Sequence, residues 1–246
     1  MRPALLTLLC FQVANLHAEN IDPDLIFDRP EGARGQAEVQ IFAGLESRYV
    51  SEGRDNLDGA GLVTGTVEAG WEYLSLGAWY ANSPDVDYDE LQLNAALTKN
   101  WGDFEAYVNY THLRFPLDGE HDNEVGLGAA LGGLPAGFVV AVDSYYSFGS
   151  SGSFIELTLA NEYEINDCLI LAPAVVFGMN EGYISDGHNG ANHVTLNLAA
   201  EYAFTPSFAV TAHAAYNFAL NRDVLLPGDL LLGDFFYAGA SLRWTF

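Results

Sequence analysis

The chain has 246 residues, 50% of them hydrophobic and only 17% charged, yet its formal net charge is -24. With a single lysine, Lys99, nothing in it could neutralise a run of phosphates, which excludes nucleic acid as a partner. A soluble protein this apolar would ordinarily carry more charge of both signs, and past the start no segment reaches the run of about 18 apolar residues that a spanning helix needs.

The first residues, "MRPALLTLLCFQVANLHAEN", place Arg2 before an apolar run from Ala4 to Val13 and then small and polar residues. This is the layout of a secretory signal peptide over 1–18, with cleavage after Ala18. Cys10 lies inside it, so the exported chain keeps one cysteine, Cys168, and no intrachain disulfide is expected. Residues 19–36 hold two prolines and no clear periodicity and are read as a periplasmic tail, or as a short segment tucked into the barrel.

From Ala37 onward the pattern is alternation. Twelve segments of apolar–polar period two run near 37–49, 62–72, 74–83, 88–99, 104–114, 123–132, 137–148, 153–165, 168–179, 192–204, 208–220 and 234–246. In the tenth, Val194, Leu196, Leu198, Ala200, Tyr202 and Phe204 oppose Thr195, Asn197, Ala199 and Glu201. Soluble strands average about 5–6 residues; segments twice that long match strands crossing a bilayer at a tilt. The connections alternate as well. Longer ones at 50–61, 84–87, 115–122, 149–152, 180–191 and 221–233 face tight turns such as Glu72-Tyr73, Asn166-Asp167 and Thr205–Ser207. The expectation is an all-β fold, a single 12-stranded antiparallel transmembrane β-barrel over 37–246, with both ends at the short-turn side and the 50–61 and 180–191 loops exposed at the cell surface.

Aromatic residues gather at the strand ends. Trp71, Tyr73, Trp101, Phe104, Phe138, Tyr163, Tyr202, Phe204, Phe208, Trp244 and Phe246 form one girdle; Tyr49, Tyr80, Tyr110, Tyr146, Phe154, Phe177, Tyr216, Phe218 and Phe236 form the other. The ending "SLRWTF", with Trp244 and Phe246 on the apolar face, resembles the C-terminal signal read by bacterial barrel-assembly machinery. Pro173 in "CLILAPAVVFGMN" cannot donate to a ladder, so a bulge or fraying is expected there.

With the apolar face in lipid, the polar face lines the lumen. It carries Glu38, Glu46, Glu68, Glu105, Glu124, Asp143, Glu156, Glu162 and Glu201, opposed by Arg48 and Arg243 with His213 as helper. Twelve strands enclose more space than eight, which side chains just fill, so hydration is the expected state of these carboxylates. A wet acidic lumen favours cations; an interior hydrogen-bonded network is the bland alternative. Asp85, Asp87 and Asp89 have the spacing of a calcium loop, but Glu90 and Ala96 stand where glycine and glutamate are required. No metal site, cofactor or catalytic signature is read; His213 and Ser241, inward on adjacent strands, are taken as structural. The loop 221–233 carries five leucines and Val224 around Pro227-Gly228, and is expected to be a hairpin that extends the last two strands and packs its leucines on the barrel mouth.

The stretch from Phe42 to Tyr80, with "RYVSEGRD" followed by a hairpin rich in glycine and aromatics, resembles TorF-family porins. That resemblance implies an outer-membrane barrel. The sequence therefore predicts a porin-like channel for passive diffusion of small solutes, leaning to cations, in contact with outer-membrane lipid and lipopolysaccharide. A closed structural or surface-interaction barrel is the alternative, and an outer-membrane enzyme comes third.

Overall fold

The computed structural model describes residues 37–246. The signal-peptide and tail readings at 1–36 lie outside the described residues. The strands follow one another in a meander: β1 (Glu38–Glu46), β2 (Leu62–Trp71), β3 (Leu74–Asn82), β4 (Asp89–Trp101), β5 (Phe104–Phe115) and β6 (Glu120–Leu131). The second half comprises β7 (Val139–Ser147), β8 (Gly152–Ala160, resuming at Tyr163–Asn166), β9 (Leu169–Glu181), β10 (Gly190–Thr205), β11 (Phe208–Ala219) and β12 (Phe235–Thr245). Each pairs antiparallel with its neighbours, and β1 closes on β12 through Gln40↔Thr245 to Glu46↔Gly239. The twelve expected strands are all present, and the barrel has no free edge.

Closure is what lipid demands, since every backbone N–H and C=O must find a partner inside the protein. Ten residues at about 3.3 Å each reach about 33 Å along a strand, enough, when tilted by about 40°, for an apolar band about 25 Å tall. The outer face supplies that band with Leu45, Val67, Leu76, Leu93, Leu97, Leu127, Leu157 and Leu198, all exposed on the barrel wall. At the short-turn rim, Trp101 stacks on Phe104 and Phe208 lies against Trp244. Lys99 extends over the Tyr73 ring there, a long stem reaching the interface with its charge outward. Phe246 continues the seam, its N–H donating to Val39 O at 2.9 Å.

Two expectations about the wall change. Pro173 does interrupt β8, whose ladder to β9 stops at Ala160↔Ala174 and resumes at Tyr163↔Leu171. The register is kept across the gap, because Pro173 still accepts through its carbonyl from Asn161 N–H at 3.1 Å; the register shift falls instead between Glu164 and Asn166. The second change concerns Tyr49 and Phe154, which are buried inside and not in the outer girdle. Strand parity explains it: Phe154, Glu156 and Thr158 share one face of β8, so a lumenal Glu156 requires a lumenal Phe154.

The lipid-facing assignment has a direct test. Leu127→Arg should cost about 2–4 kcal/mol of folding free energy if Leu127 faces the bilayer midplane, measured by denaturant titration in vesicles, whereas Leu117→Arg in the loop beyond β5 should change it little.

Candidate functional site: a filled barrel mouth

The barrel's long-loop end does not open freely to solvent. The loop after β1 turns back into the barrel as a two-stranded hairpin, Val50–Ser51 paired with Arg54–Asp55, and every residue from Tyr49 to Asp55 is buried. Its tip is Glu52-Gly53, both in the left-handed region with φ of 46° and 70°, a conformation that glycine adopts without strain. Glycine is needed at 53 for a second reason. A Cβ there would sit 2.6 Å from Cγ of His193, so the tip lies flat on the imidazole.

The wall reads this tip through its backbone. Asn192 Nδ2 donates to Glu52 O at 2.6 Å, and Asn217 Nδ2 donates to Gly53 O at 2.9 Å and to Gly233 O at 2.8 Å. The Tyr145 hydroxyl donates to Glu52 Oε1 at 3.0 Å, and Ser51 Oγ donates to the other carboxylate oxygen. Around the tip, Tyr145 stacks on Phe154 and Phe154 on His193, while Tyr183 meets Tyr145 edge-on. Val50 packs with Ala215 and Tyr237 on the opposite wall.

Two further loops clasp the hairpin. Arg54 Nη2 reaches Asp229 Oδ1 at 3.3 Å, Nε donates to Gly228 O at 2.8 Å, and Nη1 to Glu52 O at 3.0 Å. Asp229 also accepts from His188 Nδ1 at 2.6 Å, from His188 N–H at 3.2 Å and from Asp223 N–H at 2.9 Å. Burial alone would raise the Asp229 carboxyl, but the N–H of Asp223 and the ring and N–H of His188 outweigh it and hold the pKa below its ordinary value. Burial lowers the pKa of the Arg54 guanidinium, with Glu52 and Asp229 pulling it back up.

This arrangement corrects the expected loops. Residues 50–55 are interior, so only part of the 50–61 loop is a surface segment. The loop 221–233 does not extend the strands as a hairpin: β11 ends at Ala219, β12 starts at Phe235, and Pro227–Asp229 is a turn of 3-10 helix. Of its apolar residues Leu232 is 0% exposed, whereas Leu225 is 86% exposed and Val224, Leu230 and Leu231 also face outward. The loop is anchored by Asp229 and by Leu232, while most of its other leucines stay outside.

The expected lumen residues occupy two levels. Near the mouth, Glu124 accepts from the Tyr183 hydroxyl at 2.6 Å, Glu46 pairs with His213 Nε2 at 2.9 Å, and Glu156 Oε1 lies 3.8 Å from His193 Nε2. Gly239 opposite makes room for the Glu46 carboxylate, which any side chain there would strike. Deeper, Asp143 accepts from Tyr107, and Glu201 holds Arg243 Nη2 at 2.6 Å and accepts from Thr211 at 3.2 Å. Glu68, Glu105 and Glu162 are buried on the inner face. Arg48 departs from expectation, since it lies beyond the end of β1 and pairs with Asp55 and the Phe235 ring at the mouth. His213 is held by Glu46, not by Ser241. Asp85 and Asp89 brace loops by accepting from Gly61 N–H at 3.3 Å and Leu117 N–H at 2.9 Å.

Sequence reading missed the residues that build the seat: Glu52, Arg54, Glu90, His188, Asn192, Asn217 and Asp229. Glu90 is fully buried and accepts from Tyr49, Tyr88 and Gln92. Parity on β11 places Asn217 inside, whereas Asn192 is inside only because β10 bulges between Ala191 and His193, and nothing in one sequence says that a loop returns to meet them.

No family model matches the chain, and no curated protein matches it in sequence. Solved structures do match in fold. A KdgM porin superposes with TM-score 0.57 at 7% identity, over 85% of this chain and 99% of that chain. An outer membrane channel from Pseudomonas putida F1 superposes with TM-score 0.54 at 12% identity, over 89% and 99%. A NanC porin does so with TM-score 0.53 at 11% identity, over 84% and 98%. At these identities the likeness is one of barrel architecture.

Gly53→Val tests the seat. The substitution adds backbone strain of about 1–3 kcal/mol to the clash with His193, so amide exchange at residues 50–56 should accelerate while the strands keep their protection.

Proposed function

We propose that this chain is a porin-like channel of the bacterial outer membrane that passes small solutes passively and favours cations. The observation that carries the reading lies below the hairpin. Glu68 Oε2, Asn94 Nδ2, Thr98 Oγ1 and both amide atoms of Asn197 are enclosed by the wall yet have no hydrogen-bond partner among the described residues. Left dry, each such group costs about 1–3 kcal/mol, and because these atoms are sealed from solvent in the closed wall, the cost is relieved when their side chains part to admit water. Glu68 and Asn94 flank Gly77 in one row across β2, β3 and β4, where the missing side chain leaves room. A hydrated path through this row is bordered by Glu68 and by Glu201 with its partner Arg243, with Glu105 at the short-turn rim. The resulting field attracts cations.

The names of the KdgM and NanC porins and the resemblance of Phe42–Tyr80 to TorF-family porins support this reading. His213, the histidine that the sequence sets inward beside Ser241, is engaged by Glu46; the chain is proposed as a channel and not an enzyme. Export by the 1–18 signal, insertion by the barrel-assembly machinery through Trp244 and Phe246, and residence among outer-membrane lipid and lipopolysaccharide complete the proposal. A closed structural barrel is the second reading, favoured by the hairpin that fills the mouth.

Planar-bilayer conductance under a salt gradient decides between them, recorded for the wild type and for a variant with residues 50–56 replaced by a glycine–serine segment. The replaced variant should conduct with a cation-selective reversal potential, and Glu68→Gln with Glu105→Gln should move that potential toward zero. A folded replaced variant that passes no current would establish the closed barrel.

A further inference from the structure

We propose that the Val50–Asp55 hairpin is a displaceable plug and that Asp229, gripping Arg54 and His188, is its latch, engaged while His188 is an imidazolium and released when it loses a proton. The proposal rests on the channel reading, since a plug matters only where there is a path to close.

The geometry at His188 requires two protons on the ring. Nδ1 lies 2.6 Å from the Asp229 carboxylate and Nε2 lies 3.0 Å from Ala191 O. Both oxygens only accept, so both ring nitrogens must donate, and only the imidazolium has two N–H groups. The neutral ring must turn a lone pair on one of those oxygens. Either choice loosens the loop 182–189 that carries His188 or frees Asp229, which holds Arg54 and with it the hairpin.

The other charges at this point do not replace that proton. Asp229 faces Arg54 from the hairpin and His188 from the 182–189 loop. Asp186 shares the loop of His188 and accepts Gly228 N–H through its backbone, Asp223 presents its N–H to Asp229, and Arg222 is spent on the carbonyls of Asp229 and Leu230. At the tip, Glu52 acts electrostatically on Glu90 and Glu124 of the wall. The latch is therefore engaged while the ring keeps both N–H groups and is lost when either proton leaves, which makes the channel acid-closed.

Ser51, 3% exposed in the seated hairpin, reports the plug directly. The labelling rate of Ser51→Cys by a water-soluble maleimide is normalised to that of the exposed Cys168 in the same chain, which removes the pH dependence of thiol chemistry itself. Between pH about 5 and 8, where histidine changes charge, the normalised rate should rise about tenfold or more, as expected for loss of one charged hydrogen bond. In His188→Gln it should be high at both ends of that range, with barrel folding verified by heat-modifiable gel migration. A flat rate in the parent, or an unchanged pH response in His188→Gln, overturns the latch even if the replaced variant conducts. Failure of that variant to conduct overturns the channel reading, and the plug's role with it.

Discussion

An apolar exterior forces a polar interior, and the rest of this molecule depends on that inversion. Period-two alternation cannot make one face of twelve strands greasy without making the other face hydrophilic. Twelve strands also enclose more volume than their own inward side chains occupy. The interior therefore needs something more than wall residues to satisfy it. Below the hairpin, polar atoms such as those of Asn197 find no partner among the described residues. At the mouth the chain supplies its own solvent substitute, two backbone carbonyls and a carboxylate on the turn of a hairpin.

The hairpin tip can do this because it presents its own backbone carbonyls together with one carboxylate, on Glu52. Glu52 O and Gly53 O are read by Asn192 and Asn217, so what the wall recognises is a peptide turn. Gly53 allows contact with His193 that any larger residue would prevent. A two-residue pairing is too short to be a stable sheet by itself. Its order comes from the seat and the clasping loops, and this leaves it free to depart when they let go.

The wall was legible in sequence because lipid imposes the same rule on every residue of it. Segments such as 192–204 and 208–220 match β10 and β11 to within a few residues, and Glu68, Glu105, Glu156 and Glu201 fall on the inner face as parity demands. Where parity was applied inconsistently, at Phe154 beside Glu156, the reading failed. The mouth was not legible for a different reason. "YVSEGRD" has the composition of an exposed loop, and its burial depends on Asp229, 175 residues from Arg54 along the chain. Long-range polar pairing leaves no periodicity to find. The partner of Arg48 is hidden from the sequence on the same ground: Asp55 belongs to the returning hairpin.

The loop 220–234 shows which effect governs the mouth. Keeping four of its large aliphatic side chains in water forgoes about 1.5–3 kcal/mol apiece relative to full burial, a sum that would seem to dictate which way the loop turns. It turns the other way, with Asp229 fully buried and Leu225 outermost. Breaking one side of a buried ion pair costs about 3–5 kcal/mol, and here Arg54 and Asp229 are both buried, so exposing Asp229 to hide Leu225 would strand Arg54 in the hairpin. Each leucine can be left outside independently, at its own modest cost. The carboxylate cannot move without undoing four hydrogen bonds on three segments at once. The cooperative polar contact therefore sets the loop, and the loop in turn holds the hairpin in the mouth.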